Sequence, residues 1–304
     1  LASTAVSFQV SAADTAVTLK GAKVEAEAGG EFSVDVSLED IPSTKVNVMD
    51  FAVTYDQTVL NVDSVKIGKS ADVDVSGDST ASDAPVFATN IKDGEITVSW
   101  TTALDSNSWI SEDGVILTIT GTVKDGVADG TVTPIDFAPV TRETYDGSGK
   151  NNSSMVIGYV YGGDSATYTI NAEAGSVTIG SKQTTTETTV TTTEGGKDTT
   201  ATEATTTATE SKTDVTKATT TISGNIVTGT VAPGSVLYGD VNCDARVDIT
   251  DAVMLNKAAA GVVTLNDTQR TNADCNGDKE VGSQDATTLL MFLVNIIKTL
   301  PYSD

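Results

Sequence analysis

The sequence predicts an all-β jelly-roll sandwich over residues 13–180 and a small all-α module of paired calcium loop–helix units over residues 235–304, joined by a disordered linker over 181–223. Three observations predict it. Apolar residues recur at every second position through the first half of the chain. The composition then shifts abruptly to threonine. Near the C-terminus two twelve-residue stretches repeat oxygen-bearing side chains at the spacing that a hard cation requires.

The strand signal is carried by Phe32, Val34, Val36 and Leu38; by Phe51, Val53 and Tyr55; by Ile96, Val98 and Trp100; and by Val115, Leu117, Ile119 and Val123, with Gly121 between the last two. Successive side chains of a strand point to opposite faces, so each run reads as a half-buried strand. Lys92-Asp-Gly94, Glu112-Asp-Gly114, Lys124-Asp-Gly126 and Asp146-Gly147 supply turns at short intervals, and no helical stripe of any length interrupts them. Short strands with this punctuation argue for an antiparallel sandwich or jelly roll. Trp100 falls in phase with Ile96 and Val98 and reads as core, whereas Trp109, Tyr145, Tyr159 and Tyr161 lie in less regular sequence and are candidates for ring stacking or an interface.

From Thr184 to Thr221 the chain is about half threonine, broken mainly by Glu, Asp, Lys and Gly, with no aromatic residue. Such a segment cannot bury enough apolar surface to offset the entropy of ordering and is expected to be a linker. As a flexible coil of roughly 40 residues it would span about 35 Å.

The first loop, Asp240 to Asp251, places Asp240, Asn242, Asp244, Asp248 and Asp251 at positions 1, 3, 5, 9 and 12, with the carbonyl of Arg246 at position 7. The second, Asp274 to Asp285, offers Asp274, Asn276, Asp278 and Asp285 with the carbonyl of Glu280, and Gly282 leaves position 9 to a water. Oxygen donors in that number and spacing suit Ca²⁺, one ion per loop. Position 6, where a sharp turn favours positive φ, is Ala245 and Lys279 rather than Gly, at a cost of about 1 kcal/mol each. Helical stripes follow both loops: Thr250 to Ala260, ending at Gly261, and Ser283 to Lys298.

A loop–helix unit repeated twice without an entering helix before the first loop resembles the dockerin module of cellulosomes, over about Ser235 to Asp304. The opening Tyr238-Gly-Asp-Val-Asn242 and the start of the second half at Asn272-Ala-Asp-Cys-Asn-Gly-Asp278 carry the likeness. The resemblance implies calcium-dependent binding to the cohesin of a larger scaffold, with loop positions 10 and 11 contributing specificity: Ile249 and Thr250 in the first half, Ser283 and Gln284 in the second. Those pairs differ, which favours one docking orientation. Packing by Ile249 and helix capping by the other three is the alternative account of the same residues. In the β domain, Val48 to Val62 is similar to the segment that marks cohesin modules, as are Gly94 to Thr101 and Glu112 to Ile119. This implies a nine-stranded jelly roll that receives a dockerin-bearing enzyme or module on one sheet face. Together the two resemblances imply an adaptor scaffoldin. The alternatives are a dockerin-bearing carbohydrate-active enzyme, a carbohydrate-binding protein with a β-sandwich domain, or an adhesion protein.

Charge and composition narrow the choice. A net charge of −24, from 42 acidic residues against 18 basic ones, repels phosphate backbones and anionic membranes and argues against nucleic-acid partners. Histidine is absent, which removes imidazole acid–base chemistry and the commonest zinc ligand. Residues 1–12, ending Val-Ser-Ala, are similar to the tail of a secretory signal, so an extracellular location is expected, with any attachment to a cell surface made through the dockerin partner. No stretch is long and apolar enough for a membrane helix. The two cysteines, Cys243 and Cys275, fall one in each loop. Loops approaching around Val247 and Val281 would bring them near each other, leaving a disulfide or two free thiols open.

Overall fold

A computed structural model describes residues 11–72, 86–102, 109–161, 164–180 and 236–302; the expected linker and residues 1–10 lie outside them. Twelve described strands build the first module: β1 (Ser11–Gly21), β2 (Lys23–Ala26), β3 (Glu31–Glu39), β4 (Val48–Tyr55), β5 (Leu60–Ile67), β6 (Val86–Lys92), β7 (Glu95–Thr101), β8 (Gly114–Val123), β9 (Val132–Ala138), β10 (Val156–Tyr161), β11 (Asp164–Glu173) and β12 (Gly175–Ile179). Every strand expected from the period-two pattern is present. β1 starts at Ser11, inside the stretch expected to be a secretory leader.

Hydrogen bonding runs in the order β2-β12-β9-β4-β10-β11-β1-β3-β8-β5, with β7 added to the other edge of β4 and β6 beyond it. Two pairs, β1 with β11 and β12 with β2, are parallel, so the sheet is mixed rather than antiparallel throughout. Alternation reports which face a side chain takes, not the direction of the neighbouring strand, and pairing between the two ends of a module needs no tight turn. The β6–β7 hairpin turns through Asp93 (φ 53) and Gly94 (φ 82), the positive pair that a two-residue turn matched to strand twist requires.

One apolar core lies between the layers. Phe32, Val34, Val36 and Leu38 of β3 and Leu117 and Ile119 of β8 meet Met49, Phe51 and Val53 of β4 and Ile96, Val98 and Trp100 of β7. Trp100 is fully buried and its indole Nε1–H donates to the carbonyl of Ala71 at 3.1 Å. Trp109 is buried too, stacked on Tyr159 at 6.1 Å between ring centres. Neither indole therefore offers an exposed platform for a sugar ring, and the side chain of Tyr161 lies outside the described residues.

β3 and β9 alternate between exposed and buried positions as strands with one wet face should. β4 and β7 do not: every residue from Val48 to Val53 and from Ile96 to Thr101 is buried, including the polar Asp50, Thr97, Ser99 and Thr101. Their outer face is covered by the second module.

That module has three helices: α1 (Ile249–Ala259), α2 (Asp267–Ala273) and α3 (Ser283–Leu293). α2, which leads into the second loop, was not expected from the sequence; at seven residues it is too short to show an apolar stripe, although Asn266 and Gln269 cap it reciprocally. α3 stops five residues short of the expected Lys298, where Asn295 takes a left-handed φ of 61. α1 packs against α3 on one side and across β4, β7 and β10 on the other.

Gly121 sits opposite Phe32 in the β3–β8 register. A Cβ there would stand 2.9 Å from the Phe32 ring and overlap the carbonyl oxygen of Asn61. Gly121→Ala is expected to destabilise the sandwich by about 1–3 kcal/mol, read as a lower midpoint of its denaturant transition; an unchanged midpoint would show that the contact is not a tight one.

Candidate calcium centre and docking surfaces

Both loops are shaped by the carboxylates expected to bind metal. In the first, Asp240 accepts from the N–H of Asp244 (3.0 Å) and of Ala245 (3.1 Å), and Asp244 accepts from the N–H of Arg246 at 2.9 Å. Asp251 spans the loop, taking the N–H of Asn242 at 3.0 Å on one oxygen and that of Asp248 at 2.9 Å on the other. The second loop repeats the scheme: Asp274 takes Lys279 N–H (3.2 Å), Asp278 takes Glu280 N–H (2.8 Å), and Asp285 takes those of Asn276 (3.1 Å) and Gly282 (2.9 Å). Asn242 and Asn276 occupy equivalent places, each amide donating to the carboxylate two residues on.

Position 6 is left-handed in both loops, Ala245 at φ 67 and Lys279 at φ 70, as the turn demands. Position 4 is left-handed as well, which the sequence reading missed: Gly277 takes φ 78 without strain, and Cys243 takes φ 64 with a side chain. Asn272 was also missed. Its amide donates to the carbonyl of Asp240 at 2.7 Å and its oxygen accepts from Leu237 N–H at 3.1 Å, tying the second half to the mouth of the first loop.

Negative charge is concentrated in both loops, with Arg246 lying 3.7 Å from Asp248 in the first. Burial, with Asp248 close by, raises the Asp240 carboxyl to about 6; burial and the charges of Asp248 and Asp240 raise Asp244 to about 7. Asp251 is pushed well above the ordinary carboxylate range, chiefly by burial, and Asp285 is raised for the same reason. In the second loop a carboxylate oxygen from each of Asp274, Asp278 and Asp285 converges, all within 4.8 Å of one another, and a buried Asp274 oxygen has no hydrogen-bond partner. Clustered, partly desolvated oxygens with spare lone pairs fit a hard divalent cation, which would supply the missing positive charge.

The four candidate partner residues separate. Ile249 is fully buried in the apolar cluster that also holds Val48 and Val160 of the sandwich. Thr250 is half-buried, its N–H (2.9 Å) and hydroxyl (2.6 Å) both given to Asp248, which caps α1. Ser283 and Gln284 are exposed. Val247 gives its N–H to the carbonyl of Thr144 in the sandwich at 2.8 Å, and both it and Val281 pack at the same apolar cluster. No bridge joins Cys243 and Cys275: both are free, Cys243 exposed with its thiol pushed up to about 11 by burial and neighbouring carboxylates, Cys275 buried in the core.

On the sandwich, the outer surface of β4 and β7 carries a buried ion pair. Arg142 holds Asp50 at 2.8 Å, with their side chains only 5% and 1% exposed, and Ser99 donates to the same carboxylate at 2.8 Å. Around it stand Asn90 on β6 and Asn47, whose side chain pairs with both the N–H (2.9 Å) and the carbonyl (3.1 Å) of Val160.

A β-sandwich with a polar patch on one sheet face and a paired acidic-loop module define a class of protein built from recognition modules. Residues 17–157 match the cohesin domain and residues 238–293 match the dockerin type I domain. The chain thus carries a cohesin domain and a type I dockerin domain, both non-catalytic modules, and type I dockerin domains bind calcium. No curated protein matches the chain. Among solved structures it is similar to the seventh ScaB type I cohesin of Pseudobacteroides cellulosolvens, at 23% identity over 54% of this chain and 91% of that one, with a TM-score of 0.38. It is also similar to a chain of the Coh-OlpA-Doc918 type I cohesin–dockerin complex of Clostridium thermocellum, at 23% identity over 54% and 99% and a TM-score of 0.40. A non-cellulosomal cohesin of the archaeon Archaeoglobus fulgidus matches at 18% identity over 55% and 93%, TM-score 0.37.

Because the loops are held by the same carboxylates that crowd their charge, calcium removal is expected to unfold the helical module and spare the sandwich. Excess chelator should abolish the helical circular dichroism and leave the sandwich's thermal transition in place; helicity that survives chelation would refute this. Thiol titration should find one accessible cysteine, slow to react because its thiol is pushed up, in the native protein and two in denaturant.

Proposed function

We propose that the chain is a non-catalytic adaptor scaffoldin of an extracellular cellulosome. Its cohesin receives a dockerin-bearing enzyme or module, and its dockerin holds the chain to the cohesin of another scaffoldin. The observation that carries this reading is the presence, on one chain, of both halves of a recognition pair, with a threonine-rich segment of roughly 40 residues between them to set their reach. A chain with one receiving and one docking module changes which partner is displayed without multiplying sites.

The dockerin takes two calcium ions in this reading, the first on Asp240, Asn242, Asp244, Asp248 and Asp251 with the Arg246 carbonyl, the second on Asp274, Asn276, Asp278 and Asp285 with the Glu280 carbonyl. The domains run 13–180 for the cohesin and 235–304 for the dockerin, preceded by a secretory leader in residues 1–12. Among the described residues no helix is long and apolar enough to cross a membrane.

The test uses the full chain and a variant carrying Asp251→Ala and Asp285→Ala, each titrated with another scaffoldin's cohesin and with an enzyme-borne type I dockerin. The wild type is expected to bind both, and the variant to lose at least 100-fold in affinity for the cohesin while still binding the dockerin. Failure to bind members of either class, or hydrolysis of cellulose or xylan by the chain itself, would overturn the adaptor reading.

A further inference from the structure

The outer face of β6, β7, β4 and β10 has a composition that a permanently buried surface does not call for. It carries Asp50, Thr97, Ser99 and Asn90 where an internal layer would carry apolar residues, yet Asp50, Thr97 and Ser99 are at most 3% exposed. The dockerin of the same chain covers them, and it meets the face in a specific way. Lys257 of α1 gives its ammonium to the carbonyl of Val160 at 2.6 Å, the same carbonyl that Asn47 orients. The carbonyls ending α3 accept from the sandwich: Leu293 from Arg142 at 3.3 Å and Val294 from Asn90 at 2.8 Å. A guanidinium at a helix C-terminus meets the negative end of the helix dipole. Asn295 returns a bond to the carbonyl of Thr141 at 3.1 Å, and Val48 and Val160 join the dockerin's own apolar cluster.

We propose that this chain's dockerin is a ligand of its own cohesin, closing the molecule on itself and occupying the sheet face that would otherwise receive an external dockerin. From this face Asn90 and Arg142 donate to main-chain carbonyls of the second module, and the carbonyls of Thr141, Thr144 and Val160 accept from it. Lys257 is 4% exposed, and burial lowers its ammonium to about 8, so it lies under a covering surface rather than in solvent. At the start of α3, Ser283 and Gln284, the counterparts of Ile249 and Thr250, remain exposed. The intervening segment, about 50 residues long, has a contour length on the order of 170 Å, ample for closure within one chain. A tether of this kind gives an effective concentration approaching millimolar. An external dockerin of equal affinity must reach that concentration to displace the internal one, so the open chain is the state that a tighter partner selects.

Closure needs no external partner, so its test is separate from that of the adaptor function. Full-length protein in calcium is examined by small-angle scattering and light scattering, beside Asn90→Arg and Lys257→Glu, which place a bulky or opposite charge in the contact and touch neither core. Helical circular dichroism and the sandwich melt verify that both variants fold. The expected result is a monomer with a radius of gyration of about 20 Å that rises to about 30 Å in each variant. A wild-type chain as extended as its variants would overturn closure. So would a mass that doubles with concentration, which would show the dockerin engaging the cohesin of a second copy.

Discussion

Mutual repulsion among carboxylates is the constraint on which the rest of this molecule depends. Asp240, Asp244, Asp248 and Asp251 lie close enough to perturb one another, and Asp274, Asp278 and Asp285 converge in the same way. Each of these groups also fixes main-chain N–H groups of its own loop, Asp248 that of Thr250 as it caps α1, so they cannot move apart without undoing the turn. A divalent cation resolves the conflict because it favours the charged form of every oxygen it touches. The consequence travels outward. Asp251 and Asp285 are the third residues of α1 and α3 as well as loop residues, so whatever holds the loops also sets the first turn of both helices and the angle at which they pack. The surface that meets a cohesin is made of those helices. Recognition is thus coupled to the metal through backbone geometry, with no ligand residue required at the interface.

Much of this was legible from residue order alone, for reasons that also show where legibility stops. The strands at Phe32–Leu38, Phe51–Tyr55 and Ile96–Trp100 have one apolar face toward a core formed within the module, and period two records that directly. The burial of Asp50, Thr97 and Ser99 was not legible, because it is imposed by helices 150 residues or more further along the chain, and no local pattern encodes a partner. Left-handed turns at Ala245 and Lys279 followed from the loop's geometry, whereas the one at Cys243 did not, since cysteine carries no preference for that region. Trp109, kept open as an interface residue, is stacked on Tyr159 inside the sandwich; an irregular stretch of sequence gives no phase from which burial can be inferred. Residue order left the state of Cys243 and Cys275 open, because spacing along the chain does not fix the separation of two thiols; both are free.

Most of the polar bonds between the modules use main-chain groups on at least one side. Leu293, Val294, Thr141, Thr144 and Val160 all contribute carbonyls, and Val247 contributes an N–H. Such bonds are nearly blind to the side chains around them, so they supply affinity for a helix end or strand edge of the right shape without deciding which protein it belongs to. Discrimination must come from the few side chains that reach across: Arg142, Asn90, Lys257 and Asn295. Arg142 is the most constrained, since it bridges Asp50 and the end of α3. Replacing it would strand a buried carboxylate as well as remove a contact to the dockerin, and the cost of an uncompensated buried charge exceeds that of a lost hydrogen bond.

A receiving face that recognises backbone is permissive by construction, and a chain that carries both a receiving face and a docking module must contend with its own presence at high local concentration. Specificity is a difference between affinities, not an affinity. The internal contact has features of a moderate rather than an optimised fit: Thr101 Oγ1 and Arg142 Nε are buried in it without hydrogen-bond partners, and Lys257 is desolvated. Each unsatisfied group costs about 1–3 kcal/mol relative to a complex that satisfies it. A cognate external dockerin that supplied partners to two such groups would gain on the order of 10²–10⁴ in affinity over the internal one, enough to offset a large part of the tether's advantage. The imperfections of the closed form are therefore what would let a cohesin with a built-in competitor still be opened by the right partner and stay shut to the wrong one.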